Sequence, residues 1–198
     1  MFSIIGITGR VGGGAASRLL GLGKQVRAVV RDEAKGHVWA SKGASVAVAD
    51  MTDGDGLGRA IAGSEAVFVM LPPLFDPSPG FPEAKGQIDS LSAALRQSEA
   101  KRIVALSTIG AHVTRPNLLN SLHMMEESFR QLPMPVTFLR PGWFMENHAG
   151  DVSSAISEGI IHSYLQPIEH TIYAQMDLNY ERWPTSRYQS AVEECLGD

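Results

Sequence analysis

Cysteine is almost absent. The single one, Cys195, stands close to the C-terminus, so no disulfide forms within the chain and a reducing compartment is the natural reading. No apolar run approaches the ~20 residues that a membrane-spanning helix needs. No basic stretch followed by a leader-like apolar core opens the chain either, and its first apolar residues are needed for a strand. Neither sign of charge dominates: the net charge is −4 over 198 residues, which argues against a surface built to track nucleic-acid phosphates. Internal repeats, low-complexity tracts and linkers are missing. What remains is ordinary globular composition, 44% apolar and 19% charged. The length suits one α/β domain burying roughly 70% of its unfolded surface. These absences lead to the expectation of a soluble, cytoplasmic protein without membrane or nucleic-acid partners.

The richest stretch is the start. The apolar residues Phe2, Ile4 and Ile5 lead into Gly6, Gly9 and Gly12, spaced three apart, and Ala15, Ala16, Leu19 and Leu20 follow at helical spacing. That is a strand, a tight turn and a helix N-terminus within about twenty residues. A turn so sharp needs backbone angles or clearance that a Cβ would obstruct. A pyrophosphate can then sit against the N–H groups at the helix start, where the macrodipole also favours negative charge. The spacing is G-x-x-G-x-x-G rather than G-x-G-x-x-G, but its place between strand and helix makes dinucleotide binding the favoured reading. A merely structural turn is the alternative.

The rest of the chain alternates in the same way. Residues 25–32, 45–50, 66–71, 102–106 and 136–140 read as strands. Residues 33–42, weakened by Gly36, then a short segment capped by Asp53, then 83–98 and 117–132 read as helices. Ile88, Leu91 and Leu95 are expected on the buried face of one helix, and Leu118, Leu122, Met125 and Phe129 on that of another. This pattern implies a doubly wound parallel sheet with helices on both faces. The expected division is a nucleotide-binding domain over 1–145 and a small C-terminal substrate region over 146–198.

In such a fold the residue closing the second strand faces the adenosine ribose. Arg31 stands there, with Arg10 in the glycine loop within reach of the same group, and a guanidinium suits a 2′-phosphate. NADP is therefore preferred over NAD, the other reading being Asp32 as the ribose ligand. Asp50, closing the third strand, is placed to accept from the adenine amino group. The loop over 74–82, with Pro77, Pro79 and Pro82, is a stiff lid or a long connection.

Four signatures now line up in order: Gly6-Ile7-Thr8-Gly9-Arg10-Val11-Gly12, then Val29-Val30-Arg31-Asp32, then Leu106-Ser107-Thr108-Ile109-Gly110-Ala111, then Leu139-Arg140-Pro141-Gly142-Trp143-Phe144-Met145-Glu146-Asn147. Over roughly residues 1–168 the chain resembles the NmrA-like, atypical short-chain dehydrogenases/reductases, a family with both NADPH-dependent quinone reductases and NADP-binding regulators. The resemblance implies a Rossmann domain with NADP(H), less readily NAD(H), as cofactor. It implies cofactor contacts from Gly6, Thr8, Gly9, Arg10, Val11 and Gly12, from Arg31, Asp50 and Met51, and from Leu71 and Pro72.

The catalytic pattern departs from that family. The wider superfamily uses a Ser with a Tyr-x-x-x-Lys pair, the Lys lowering the Tyr pKa for proton exchange. With Glu127 as anchor, the Lys position is His123 and the Tyr position Leu119, and a leucine donates no proton. Ser107 is left to orient a carbonyl and His123 to serve as an acid. His123 and Glu127, four apart, read equally as a surface pair, and two ligands are too few to specify a metal. Thr108, Pro141, Trp143, Phe144, Met145 and Asn147 are expected around a substrate pocket, with core packing as the other reading for the three apolar ones after Gly142.

From about Glu169 the family pattern fades; Tyr180, Trp183 and Tyr188 sit among polar residues before a short helix expected at 186–196. Two functions follow as expectations. One is NADPH-dependent hydride transfer to a quinone or similar electron-poor small molecule, a chemistry that survives loss of the Tyr. The other is a non-catalytic NADP(H) sensor acting through a protein partner. A homodimer is left open.

Overall fold

The computed structural model describes residues 1–115, 117–144, 147, 149, 151–160 and 174–175. Strand and helix alternate as β1 (Phe2–Ile5), α1 (Arg10–Gly21), β2 (Val26–Val30), α2 (Glu33–Ala40), β3 (Ser45–Val48), α3 (Gly54–Ile61), β4 (Ala66–Met70), α4 (Pro82–Gln97), β5 (Arg102–Leu106), α5 (Asn120–Phe129) and β6 (Val136–Leu139). These six strands form one sheet in the order β3-β2-β1-β4-β5-β6, and every neighbouring pair is parallel. This is the doubly wound Rossmann order, with its switch point between β1 and β4. Beyond it lie β7 (Trp143–Phe144), α6 (Val152–Glu158) and β8 (Ala174–Gln175), β7 pairing with β8.

Alternating strand residues supply two core layers. Ile5, Val67, Val69, Ile103 and Ala105 face α3, α4 and α5, where Leu57, Ile61, Ile88, Leu91, Leu95, Met125 and Phe129 meet them. Phe2, Ile4, Ala28, Phe68 and Val104 face the other way, against Ala16, Leu19 and Trp39 of α1 and α2. Both faces are covered, which is why the inner strands read as unbroken apolar runs. Full burial of a side chain such as Leu91 or Phe68 contributes about 1.5–3 kcal/mol.

Two boundaries differ from the sequence expectation for a local reason that the hydrogen bonds show. The third strand ends at Val48 because Asp50 bends the chain, its Oδ1 accepting from the Thr52 N–H. The helix expected from 117 begins at Asn120: Asn117 Oδ1 accepts from the Leu119 N–H at 2.8 Å and Asn120 Oδ1 from the Asn117 N–H at 2.6 Å, a local alternative to helical pairing. Leu118 consequently leaves the buried stripe and is 45% exposed. Gly36, read as a weakness in α2, is instead where that helix lies closest to the sheet. A Cβ there would come within 2.5 Å of Val46 Cγ1. Expectations placed on Met145, on the side chain of Trp143, on Tyr180, Trp183, Tyr188 and Cys195, and on the 186–196 helix fall outside the described residues. Among the described residues no helix is long and apolar enough to cross a membrane.

Candidate functional site

All six strands being parallel, their carboxyl ends meet along one edge, and the loops there build the site. At β1 each glycine has its own task. Gly6 takes φ +85°, and a Cβ on it would lie 2.4 Å from Met70 Cγ. The Gly9 N–H closes the turn on the Gly6 carbonyl at 3.0 Å. Gly9 is also the N-cap of α1, and it offers no side chain to the helix start. Gly12 is buried where α1 crosses the turn; a Cβ there would lie 2.4 Å from the Gly6 oxygen. Turn, open approach and close packing are the three tasks a dinucleotide loop sets its glycines. Thr8 and Arg10 lie exposed beside it.

A cavity of about 690 Å³ opens from this loop between α1 and α2, lined by Thr8, Gly9, Arg10, Lys35, Trp39 and Lys42 among others. Lys42 Nζ stands 4.6 Å from the Trp39 ring centroid, a cation–π arrangement. Neither lysine was singled out in the sequence. The signal was there: Lys35 and Lys42 follow Arg31 by one and three helical turns.

At the β2 end Arg31 is exposed. Asp32, the rival ribose ligand, is the N-cap of α2, its Oδ1 accepting from the Ala34 N–H at 2.9 Å. Asp50 Oδ1 accepts from both the Thr52 hydroxyl at 2.6 Å and the Thr52 N–H at 2.8 Å. These bonds hold its carboxyl below the usual value, the positive charge of Arg31 adding to them. Asp53 caps α3 as expected, accepting from the Gly56 N–H at 2.9 Å. Met51 is half-buried against the core, Leu71 buried and Pro72 half-buried at the β4 end. In the proline-rich loop beyond, Phe75 is 81% exposed.

The β5 and β6 ends hold an arrangement centred on a residue the sequence reading passed over. Glu126, 1% exposed, accepts four hydrogen bonds. Its Oε1 takes the Ser107 hydroxyl at 2.5 Å and Arg140 Nε at 2.8 Å. Its Oε2 takes Arg130 Nη2 at 2.7 Å and Arg140 Nη2. Burial pushes this carboxyl up, but the hydrogen bonds from Arg140 and Ser107 and the charges of both arginines outweigh it and leave it lowered. Glu126 is therefore an ionised, acceptor-only group. Its position among Leu122, Met125 and Phe129 could have been read from helical spacing, one residue before the exposed Glu127.

His123 and Glu127, four apart on α5, each have another partner. His123 Nδ1–H donates to the Ala111 carbonyl at 2.7 Å, the tautomer following from the acceptor-only partner. Glu127 pairs with Arg130. Ser107 and Thr108 are 4% and 9% exposed, and Pro141 is buried opposite them. The Ser107 N–H meets the Leu139 carbonyl at 2.7 Å, and the Ile109 N–H meets Pro141 at 2.8 Å. Phe144 is half-buried and Asn147 exposed. No cluster of three metal-ligating side chains occurs among the described residues.

Comparison with known proteins places these features in context. Residues 6–160 match the family described as NAD(P)H-binding. An NAD(P)H azoreductase of Xenophilus azovorans is 27% identical over 148 residues, 74% of this chain and 49% of that protein. The NADPH-dependent quinone oxidoreductase of Escherichia coli, solved with NADPH, superposes with a TM-score of 0.70 at 25% identity, covering 80% of this chain and 55% of that one. The Citrobacter triphenylmethane reductase, solved with NADP(H), shares the fold with a TM-score of 0.66 at 22% identity, covering 77% and 55%. The chain thus spans about half the length of the relatives it matches.

Proposed function

Because this chain belongs to the NAD(P)H-binding family, in the NmrA-like form that its motifs resemble, we propose that it is an NADPH-dependent reductase of a small, electron-poor organic substrate such as a quinone or an azo compound. The observation that carries the cofactor half is the basic cavity continuing from the glycine loop. Gly6 and Gly9 let the turn pack tightly on Met70 and bring the start of α1 to the cavity, and Arg10 and Lys35 line the adjoining hollow. With Arg31 at the β2 end they would hold the 2′-phosphate, whereas Asp32 is engaged as a helix cap.

When bound, the nicotinamide supplies a hydride, and one further proton completes a two-electron reduction. The chain's own contribution is orientation and the exclusion of water along the edge formed by Leu71, Pro72, Thr108, Pro141 and Phe144. In this reading the 1–145 unit holds the cofactor, and the region from 146 on is assigned to the substrate. Ser107 does not give the proton, because Glu126 already takes it. His123, held by the Ala111 carbonyl through its Nδ1–H, is the residue assigned to give it. Shifting the anchor from exposed Glu127 to built-in Glu126 moves the Tyr position from Leu119 to Leu118, a leucine in either register. A substrate that needs little acid help is what these residues suit. The quinone and azo substrates in the relatives' names agree with that class.

The test is a titration with NADPH and NADH followed by turnover of quinones and azo dyes. NADPH binding at least about tenfold tighter than NADH, a difference of about 1.4 kcal/mol, together with turnover, is expected. The tied-down Ser107 favours one second reading, a cofactor-state sensor acting through a protein partner. Tight, redox-selective binding without any turnover is the result that would select it.

A further inference from the structure

Ser107 has one proton to donate, and the geometry says where it goes. The residue is fixed on both sides: its N–H is held by the Leu139 carbonyl at 2.7 Å, and its hydroxyl lies 2.5 Å from Glu126 Oε1. Glu126 cannot return the favour, since an ionised carboxylate only accepts. Nor can it turn away, because both its oxygens are also held by arginines, Oε1 by Arg140 and Oε2 by Arg140 and Arg130. What Ser107 keeps for the crevice at the β5 end is its lone pairs.

We propose that Glu126 is a positioning residue that makes Ser107 a hydrogen-bond acceptor, so that the group received at Ser107 Oγ is a donor, an amide N–H or a hydroxyl, and not a carbonyl oxygen. Two sources present such a donor at this edge: the carboxamide of the nicotinamide, and the hydroxyl of a reduced, hydroquinone-like product. Either one is oriented by Ser107 without receiving a proton from it. The carboxamide source rests on the cofactor part of the proposed function, and the hydroquinone source on its substrate class as well.

Replacing Glu126 by Gln inverts the arrangement. The amide carbonyl takes the Oε2 position, where two arginine donors converge, and its N–H₂ then faces Ser107 Oγ, displacing the contact from Arg140 Nε. The serine accepts from that amide, and its own proton swings toward the crevice. Ser107→Ala removes the acceptor and leaves every arginine contact to Glu126 in place, so it stands as an independent arm should Glu126→Gln fold poorly.

The full-length protein is titrated with NADPH, with its thionicotinamide analogue, which keeps the N–H₂, and with its 3-acetylpyridine analogue, in which a methyl group replaces it. If the carboxamide is the donor, the wild type binds the acetyl analogue at least about tenfold more weakly than the other two. Ser107→Ala erases that preference, and so does Glu126→Gln, because the carboxamide can then turn its carbonyl to the serine proton. If the reduced substrate is the donor, the three cofactors bind alike. A hydroquinone then competes at least about tenfold better than its dimethyl ether, again only while Ser107 is present. Cofactor binding with neither preference overturns the inference and makes Ser107 a tie between strand and helix. Failure to bind cofactor and hydroquinone overturns it together with the proposed function. The preferences without turnover would sink the reductase reading alone.

Discussion

At the scale of single residues, Glu126 carries the sharpest consequences. Removing it by Glu126→Ala strands the Ser107 hydroxyl, takes from Arg130 one of its two carboxylates while Glu127 stays, and unpairs Arg140. Those arginines are 43% and 37% exposed, so water relieves part of the loss. The cost should be about 2–3 kcal/mol, at or below the low end for a broken buried pair. A urea denaturation series measures it. The pH dependence has a definite sign. The folded carboxyl titrates below its ordinary value of 4.5, so its stabilisation is complete above that value and is lost as pH falls through the folded pKa. The stability gap between wild type and Glu126→Gln should be constant near neutrality and narrow in steps taken below 4.5. A gap independent of pH there would mean that the fold does not lower the Glu126 pKa. His123→Gln tests the other residue: with the proton donor gone, kcat for a quinone should fall about tenfold or more while the NADPH Kd holds, within the usual range for general acid catalysis.

At the scale of elements, what matters is how closely α1 lies on its turn. Gly12→Ala would ordinarily favour a helix by about 1 kcal/mol. Here the new Cβ would stand 2.4 Å from the Gly6 oxygen and 2.8 Å from its carbonyl carbon, backbone atoms that cannot swing aside. The helix must lift, and the N–H groups at its start move off the pyrophosphate position. Gly12→Ala is expected to weaken NADPH and NADH binding together, by at least about tenfold, with a lowered Tm. Gly36→Ala makes a useful contrast. Its neighbour is the side chain of Val46 in β3, at 2.5 Å, and neither residue lines the basic cavity. Stability should fall with little change in cofactor affinity, and thermal melts paired with titrations would separate the two outcomes. Element limits show equally well why the sequence was readable only in part. Periodicity located every helix and strand of the main sheet, because burial on one or both faces writes itself into residue spacing. It could not place the start of α5, where the side chains of Asn117 and Asn120 bond the backbone locally and override helix propensity. It passed over Glu126 for a related reason: a carboxylate on a buried stripe looks like an error until Arg140, fourteen residues on, is brought back to it by β6.

At the scale of the whole molecule, the sheet order gathers at one edge groups that are far apart in sequence. Gly6, Arg31, Asp50, Leu71, Ser107 and Pro141 each stand at or just past the end of a strand, along the one edge where the glycine loop also lies. What the glycine fingerprint could not predict was the charge of the hollow between α1 and α2, since Lys35 and Lys42 enter through helix phase and not through any motif. The result is a locally basic cleft on a chain of net charge −4. That contrast has a measurable outcome. Charges at an open cleft are screened once the Debye length shrinks to about 10 Å near 0.1 M salt, and NADPH carries a phosphate that NADH lacks. Raising the salt through that range should weaken NADPH binding more steeply than NADH binding, so that the preference between them shrinks. Arg31→Ala and Lys35→Ala should each flatten the NADPH slope and leave the NADH slope nearly unchanged. Parallel slopes for the two cofactors would place the 2′-phosphate outside this cleft, and with it the assignment of Arg31 and Lys35 would fall.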